Sequence, residues 1–121
     1  AEVIDVRSLV PLDAAAILAS VAKTGRLVVA DYAHRTAGAA AEIAAIVAEE
    51  GFADLRAPIQ RVTTPDVQIP FSPKLERPLY PNKDKIAAAA RKAVRSGAER
   101  GPWPVKSYFR SGEWESTKAR S

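Results

Sequence analysis

The chain has 121 residues, of which 47% are hydrophobic and 26% are charged. This length and composition are typical of one globular domain. The absence of cysteine excludes disulfide bonds and thiolate metal sites, and a single histidine excludes a histidine-rich metal cluster. No apolar run is long enough to cross a bilayer and residues 1–20 lack the pattern of a secretory signal, so we expect a cytoplasmic protein without a membrane partner.

The net charge of +4 is unevenly distributed along the chain. Residues 1–90 contain 10 Lys and Arg against 11 Asp and Glu, whereas residues 91–121 contain 8 against 3. A basic C-terminal segment can bind nucleic acid, but no recognition motif or aromatic platform accompanies this one, so we do not expect nucleic-acid binding. Gly, Pro, Ser and charged residues dominate from residue 96 onward without periodicity. We therefore predict a domain over residues 1–95 and a flexible basic tail over 96–121.

The first part of the chain predicts a β-α-β unit. Residues 2–6 alternate between apolar and polar and are rich in β-formers, which predicts a strand. Asp13 is the expected N-cap of a helix that ends near Lys23, and Gly25 is its expected left-handed C-cap. Residues 26–30 form a short apolar run, which is typical of a parallel strand that is buried on both faces.

The alternation of helices and strands continues in the second part. Residues 39–50 carry apolar residues at helical spacing before Gly51, residues 58–63 predict a third strand, and Asn82 is the expected N-cap of a last helix. The expected buried stripe of that helix is Ile86, Ala89, Ala90 and Ala93. Five prolines between residues 65 and 81 predict an extended strap rather than a helix or a central strand. The pattern predicts an α/β fold, with three layers (α/β/α) and a mostly parallel sheet.

An ordered series of short motifs spans residues 1 to about 94. The motifs are AEVIDVRSLVPL at 1–12, TGRLVV at 24–29, Arg35-Thr36 with Gly38, API at 57–59, RVT at 61–63, PFSP at 70–73 and Pro81-Asn82. In this order and register they resemble the C-terminal domain of the β subunit of thiamine-diphosphate-dependent 2-oxo acid dehydrogenases of the pyruvate, branched-chain and acetoin type. Transketolases share the fold, but their loop after the equivalent of Val29 differs, so they rank second.

The resemblance implies a transketolase C-terminal-domain-like fold that lacks the strand and helix with which the family's domain begins, upstream of the equivalent of Ala1. It implies thiamine diphosphate and Mg²⁺ in the parent enzyme, between the α subunit and the N-terminal domain of β, and no cofactor in this chain. The expected partners are other subunits of a 2-oxo acid dehydrogenase complex. We expect a homodimer or hetero-oligomer, because a sheet without that strand must rearrange, borrow a strand or pair with another copy.

The sequence predicts no catalytic, cofactor-binding or metal-binding residue. Acid–base chemistry needs a base beside an acid or a nucleophile, and His34 is the only imidazole. His34 follows a parallel strand and precedes a helix, where α/β proteins bind ligands, although an ordinary loop histidine is the simpler interpretation. We therefore predict only a candidate ligand or interface loop, which comprises Asp31, His34, Arg35, Thr36 and Phe71.

Three alanines in this loop depart from the family pattern. Ala37 and Ala40 stand where the family usually has glycine, so the loop lacks a glycine-rich phosphate motif. Ala39 stands where the family usually has an aromatic residue. Losing that side chain puts a native-like contact between β subunits in doubt.

Three functions remain after these exclusions. The first, which we predict, is a non-catalytic assembly domain that pairs subunits and docks to the acyltransferase core of a 2-oxo acid dehydrogenase complex. The second is a fragment of a transketolase-type enzyme whose chemistry is supplied by another domain. The third is a stand-alone ligand- or partner-binding module that uses the loop around His34 and the basic tail. Binding by the isolated chain would distinguish the third function from the other two.

Overall fold

Helices and strands alternate along the computed structural model, which describes residues 1–98. The regular elements are α1 (Ala14–Thr24), β1 (Val28–His34), α2 (Ala39–Glu50), β2 (Gln60–Thr64), α3 (Pro73–Glu76) and α4 (Lys83–Ala98), with 3-10 turns at Phe52–Asp54 and Arg77–Leu79. The predicted tail begins at residue 96, whereas α4 continues to Ala98. The rest of the predicted tail lies outside the described residues.

The helix boundaries follow from local capping. The Asp13 carboxylate accepts a hydrogen bond from the Ala16 N–H at 3.0 Å, and Gly25 ends α1 with a φ of 70°. Gly51 follows α2 and donates its N–H to the Val47 carbonyl at 2.9 Å. The Asn82 side chain accepts from the Lys85 N–H at 2.9 Å at the start of α4. The predicted caps Asp13, Gly25 and Asn82 are confirmed, and the helix of residues 39–50 ends before Gly51 as predicted. Each cap acts on the helix next to it in the sequence.

The sheet of the described residues has two strands, β1 and β2, which are parallel and pair from Val28 opposite Gln60 to Asp31 opposite Thr63. The predicted strand at residues 2–6 is wrong, since residues 1–8 form no strand. Glu2 lies beside α1 instead, where its carboxylate accepts from the Ser20 hydroxyl at 3.1 Å and pairs with Lys23 at 3.6 Å. An alternating segment becomes a strand only when a neighbouring strand satisfies its backbone groups.

The core lies between α1, α2 and one face of the sheet. The buried side chains Ile17, Val21, Ile43 and Val47 form its centre, and Val29 of β1 packs against them. Since side chains alternate along a strand, the opposite face carries Ala30 and its register partner Val62, and α4 packs against both strands. Helices on both faces of a small parallel sheet confirm the predicted α/β class.

Burial on the α4 side is less complete than the sequence predicts. Ala30 is exposed, so β1 is not buried on both faces. In α4, Ala93 is buried, whereas Ile86 and Ala90 of the predicted stripe are exposed. Two strands offer the helix a narrower surface than the three that the sequence predicts, and part of its apolar stripe therefore remains uncovered.

The segment over residues 65–81, which we call the proline strap, is helical in part. The prediction that it contains no helix is wrong for α3, where Pro73 occupies the first turn. Proline is well suited to that position, because its fixed φ is helical and the first-turn N–H has no partner within the helix. The remainder of the strap runs without regular structure from Pro65 to Ser72.

Burial predicts how two valines respond to the same substitution. Val47 is fully buried at the α1–α2 contact, so Val47→Ala should lower the free energy of unfolding by about 2 kcal/mol, through lost apolar contacts and a cavity. Val94 is 59% exposed, and Val94→Ala should change it by less than about 0.5 kcal/mol. Urea denaturation measures both values, and equal effects would contradict the described core.

Candidate functional site

The carboxyl ends of β1 and β2 meet at one edge of the sheet, which we call the carboxyl edge. The loop of residues 31–38 leaves β1 there, and the proline strap leaves β2 there. The strap is tied to the loop near both of its ends. Asp66 is hydrogen-bonded to Thr36, and the Tyr80 ring lies 5.5 Å from the Tyr32 ring, centroid to centroid. The carboxyl edge is where α/β folds place ligand sites, and it is the candidate site of this chain.

Asp31 bridges the end of β1 and the start of α2. One carboxylate oxygen accepts from the Ala33 N–H at 3.0 Å, and the other accepts from the Ala40 N–H at 3.2 Å, within the first turn of α2. The N-cap residue of α2, Gly38, contributes no side-chain bond. Asp31 therefore supplies the negative charge that a helix N-terminus favours, at the point where an anionic ligand would otherwise bind. A contact between residues nine apart gives no local sequence signal, and the capping role was missed.

Gly38 and Ala37 set the path of the loop between Asp31 and α2. A Cβ atom on Gly38 would lie 2.6 Å from the His34 carbonyl oxygen and 3.1 Å from the Ala33 Cβ. Any larger residue at position 38 would therefore clash with the backbone of the loop. Ala37 has a φ of 59°, in the left-handed region that disfavours residues with a Cβ. The turn into α2 therefore stores backbone strain at Ala37.

Two alanine-to-glycine substitutions should act in opposite directions. Ala37→Gly should raise the free energy of unfolding by about 0.5 to 1 kcal/mol, because glycine adopts positive φ without the steric cost. Ala45→Gly, at an exposed position within α2, should lower it by about 0.5 to 1 kcal/mol. Thermal and urea unfolding of both variants test the left-handed conformation, and destabilisation by Ala37→Gly would refute it.

A bulge in β1 directs His34 and Arg35 across to β2. The register slips between Asp31 and His34, so that His34 pairs with Thr64. The buried Thr64 hydroxyl donates to the Tyr32 carbonyl at 2.6 Å, and the Arg35 N–H donates to the Thr64 carbonyl at 2.9 Å. At the bulge, Tyr32 and Ala33 have no partner in β2. The extra residues turn the loop toward the start of the strap.

His34 is exposed, and its ring contacts the strap. Its Nδ1 lies 3.0 Å from the Pro65 carbonyl oxygen. Because a carbonyl oxygen only accepts, Nδ1 carries a proton and is the donor in this bond. The ring thus helps to fasten β1 to the segment after β2, which supports the interpretation of His34 as a loop residue.

Thr36 and Asp66 form the strongest polar tie of the carboxyl edge. The Asp66 carboxylate accepts from the Thr36 hydroxyl at 2.7 Å and from the Thr36 N–H at 3.0 Å. These two bonds, first the hydroxyl and then the N–H, hold the pKa of Asp66 below the ordinary aspartate value of 3.8, and the charges of His34 and Arg35 lower it further. The ionised carboxylate is therefore the form that closes the loop against the strap.

This tie predicts an acid-dependent loss of stability. The pKa of Asp66 is lower in the folded than in the unfolded chain, so its contribution is complete above pH 3.8 and is lost as the pH falls through the lower, folded value. The difference in unfolding free energy between the wild type and Asp66→Asn should therefore shrink below pH 3.8. Thr36→Val keeps the carboxylate but loses the hydroxyl donor, and its acid dependence should lie between the two. Urea titrations from pH 3 to pH 7 measure the effect, and parallel curves for all three proteins would contradict the tie.

Arg35 and Phe71 complete the set of predicted site residues. The Arg35 carbonyl accepts from the Arg61 guanidinium at 3.0 Å. The ion pairs within residues 1–98 are Arg7–Asp5 and Lys23–Glu2, so the Arg35 guanidinium forms none there. Phe71 lies in the strap and is fully exposed. Asp31, His34, Arg35 and Thr36 thus lie in one stretch at the end of β1, whereas Phe71 lies in the strap, which contacts that stretch through Asp66 and Tyr80.

The polar groups of the loop are used mainly to hold the fold together. Asp31 caps a helix, His34 bonds the Pro65 carbonyl, and Thr36 and Asp66 satisfy each other. Within residues 1–98, no group of three or more His, Asp or Glu side chains is placed to hold a metal ion. The arrangement is suited to fixing the loops of an α/β domain and positioning the surface around them.

A cavity of about 250 Å³ opens beside the start of α2. Leu9 and Leu12 line one side, Ala39 and Ile43 line the other, and Glu42 lies among the lining residues. A second cavity of about 280 Å³ lies between residues 4–8 and the first turns of α1. The first cavity adjoins the 31–38 loop, and it was not predicted because it depends on how the first twelve residues pack against α2.

No helix within residues 1–98 is both long enough and apolar enough to cross a bilayer.

Comparison with known families is consistent with this geometry. The sequence profile described as transketolase, C-terminal domain, matches residues 1–86. The chain belongs to the transketolase C-terminal domain family. This assignment explains the parallel β1–β2 pair flanked by helices, and the predicted fold family is confirmed.

The relatives of this transketolase C-terminal domain include β subunits of several oxidoreductases. It is 50% identical over 88 residues to the acetoin:2,6-dichlorophenolindophenol oxidoreductase subunit beta of Bacillus subtilis, covering 73% of this chain and 26% of that protein. It is 46% identical over 93 residues to the mitochondrial pyruvate dehydrogenase E1 component subunit beta-2 of rice, covering 77% and 25%. It is 45% identical over 94 residues to the 2-oxoisovalerate dehydrogenase subunit beta of Pseudomonas aeruginosa, covering 78% and 26%.

These matches confirm the resemblance to the C-terminal domain of 2-oxo acid dehydrogenase β subunits. The chain spans about a quarter of the length of the curated relatives it matches. The names of the three relatives specify acetoin, pyruvate and 2-oxoisovalerate, so similarity of this domain does not select one substrate. The relatives are subunits of larger assemblies by name, which makes partner subunits the general expectation for this domain.

Proposed function

We propose that this chain is a non-catalytic assembly domain of a β subunit of the 2-oxo acid dehydrogenase type, which pairs subunits and docks to the acyltransferase core in a cytoplasmic complex. Thiamine diphosphate and Mg²⁺ belong to the parent enzyme and are bound outside this domain. The observation that carries the proposal is the internal hydrogen bonding of the carboxyl edge. The groups that could receive a ligand there are bonded to the fold itself.

The chemistry at this edge supports a structural role. A ligand anion would compete with Asp31 for the N-terminus of α2, and a general base would need His34 beside an acid or nucleophile. Asp31 already accepts from Ala40, and His34 already contacts Pro65. These contacts argue against the stand-alone ligand module that was the third function considered.

The surface elsewhere supports association with other polypeptides. Five of the first ten residues are large hydrophobic residues that are exposed, namely Val3, Ile4, Val6, Leu9 and Val10. Within residues 1–98, β1 has one strand neighbour, so its other edge presents unpaired backbone groups. Exposed apolar side chains and an open strand edge are each typical of a surface that a partner covers. A homodimer or a hetero-oligomer would satisfy both features.

The proposal predicts that the isolated chain neither binds thiamine diphosphate with Mg²⁺ nor decarboxylates a 2-oxo acid such as pyruvate or 2-oxoisovalerate. The reason is that the polar groups at the carboxyl edge, the candidate ligand site of this chain, are hydrogen-bonded within the fold. Titration calorimetry at micromolar protein concentration, with an intact α and β enzyme of the family as the positive control, checks the first part. Mg²⁺-dependent binding at micromolar affinity would overturn the assignment as a non-catalytic domain.

A chimera tests the assembly role directly. The 88 residues of this chain that align with the Bacillus subtilis relative at 50% identity would replace the matching segment of that protein. The chimeric subunit should assemble with its natural partners and retain dye reduction within about tenfold of the parent, because this segment contributes contacts rather than reacting groups. The matched control is the same subunit with the segment deleted, which should fail to assemble. A chimera that assembles normally but loses activity completely would show that the segment does more than assemble.

A further inference from the structure

We infer that α4 separates from the sheet as one helix while α1, α2 and the two strands stay folded, and that the Arg26 side chain holds it in the closed position. The inference goes beyond the proposed function, because it describes an opening within the domain rather than its association with partners. Three features carry it: the shallow burial of α4, the helix-forming sequence of α4, and the one side chain that bonds its last turns to the rest of the fold.

The packing of α4 on the sheet is shallow. Among residues 83–96, Ala93 is the only buried side chain, and it is small. The larger apolar side chains of the helix are exposed, Ile86 by 38% and Val94 by 59%. By contrast, α2 buries Ile43 and Val47 against α1. Because stabilisation scales with the apolar area removed from water, separating α4 from the sheet requires less free energy than unfolding the α1–α2 core.

The sequence of α4 favours a helix without help from the sheet. Residues 87–90 are four successive alanines, and alanine has the highest helix propensity. Asp84 lies in the first turn and Arg95 in the last, where each carries the charge that the helix dipole favours. The Asn82 side chain caps the start. The helix can therefore leave the sheet and keep much of its internal hydrogen bonding, so that opening breaks few bonds.

The last turns of α4 are held by Arg26. Its Nε donates to the Ala93 carbonyl at 3.2 Å, and its Nη1 donates to the Thr24 carbonyl at the end of α1 at 3.4 Å. One guanidinium thus joins two helices that lie on opposite faces of the sheet. Within residues 1–98, no other hydrogen bond links α4 to α1, α2 or either strand. The first turn is attached to the adjoining strap instead, since Lys85 donates to the Tyr80 carbonyl at 2.9 Å.

Separation of α4 uncovers one face of the sheet. Val62 of β2 lies on that face and is 8% exposed in the closed domain. Its register partner on β1, Ala30, is already exposed. Opening therefore joins Val62 to Ala30 in one apolar strip that the closed domain conceals. The domain has a second apolar surface, which it presents only in the open state.

Cysteine labelling of the full chain measures this opening, because the chain has no cysteine of its own. Val62→Cys places a thiol beneath α4, and Val47→Cys places one in the α1–α2 core as the matched control. Under native conditions, where closing is faster than the reaction with iodoacetamide, the thiol at position 62 should react at least about tenfold faster than the thiol at position 47. Hydrogen exchange should show the amides of β1 and β2 still protected. Equal labelling rates would overturn the inference.

Substitution of Arg26 tests what holds the helix. Arg26→Ala should speed the labelling of the Val62→Cys variant at least about fivefold, which is the effect of losing about one hydrogen bond. Arg56→Ala is the matched control and should leave that rate unchanged. Arg56 is also an exposed arginine at this end of the sheet, where its N–H donates to the Gly25 carbonyl at 2.7 Å. An unchanged rate with Arg26→Ala would show that Arg26 does not hold α4 and would overturn the inference.

A core substitution separates opening of α4 from unfolding of the whole domain. Ile43→Val weakens the α1–α2 core, which is folded in both the closed and the open state. It should therefore speed labelling of the Val47→Cys variant about fivefold and leave the Val62→Cys variant unchanged. Equal acceleration of both variants would mean that position 62 reacts only in the unfolded chain, and α4 would then not separate on its own. None of these results bears on the chimera, which tests the assembly role.

Discussion

The Asp31 carboxylate joins the last regular pair of β1 to the first turn of α2, and the form of the carboxyl edge depends on this bridge. Its bond to Ala40 fixes where α2 begins, and its bond to Ala33 fixes the bulge that follows. The bulge in turn brings the Arg35 N–H to the Thr64 carbonyl at the end of β2 and the Thr36 N–H to Asp66 after it. The buried Thr64 stabilises the bulge, because its hydroxyl donates a hydrogen bond to the Tyr32 carbonyl.

This bridge also explains why the edge is unlike that of a nucleotide-binding α/β domain. In such domains the helix N-terminus is left free, and glycine residues let a phosphate approach it. Here a carboxylate of the protein occupies the same position, and Gly38 accommodates the His34 carbonyl rather than a ligand. The conformational freedom of glycine is thus used for packing within the loop. The surface left available is apolar and lies beside the loop, around Leu9, Leu12 and Ala39.

The parts of the fold that depend on neighbouring residues could be predicted from the sequence, and those that depend on distant residues could not. Asp13, Gly25 and Asn82 act on their own helices, and their roles were predicted correctly. The segment at residues 2–6 has the pattern of a strand, but strand formation requires a partner that its own pattern does not specify. The cap from Asp31 spans nine residues and the tie from Thr36 to Asp66 spans thirty, so neither has a local signature. The position of the candidate loop could be predicted, because residues that follow parallel strands lie at the same edge of the sheet.

Within residues 1–98, the edge of β1 that faces away from β2 has no strand neighbour, and this has a consequence for the behaviour of the protein in concentrated solution. An unpaired strand edge is a template for any extended segment, including residues 2–6 of another molecule, whose alternating pattern is exposed. Such pairing does not close on itself and competes with specific association. The chain's solubility should therefore depend on how fast a proper partner covers that edge during synthesis, which links assembly of the domain to protection against aggregation.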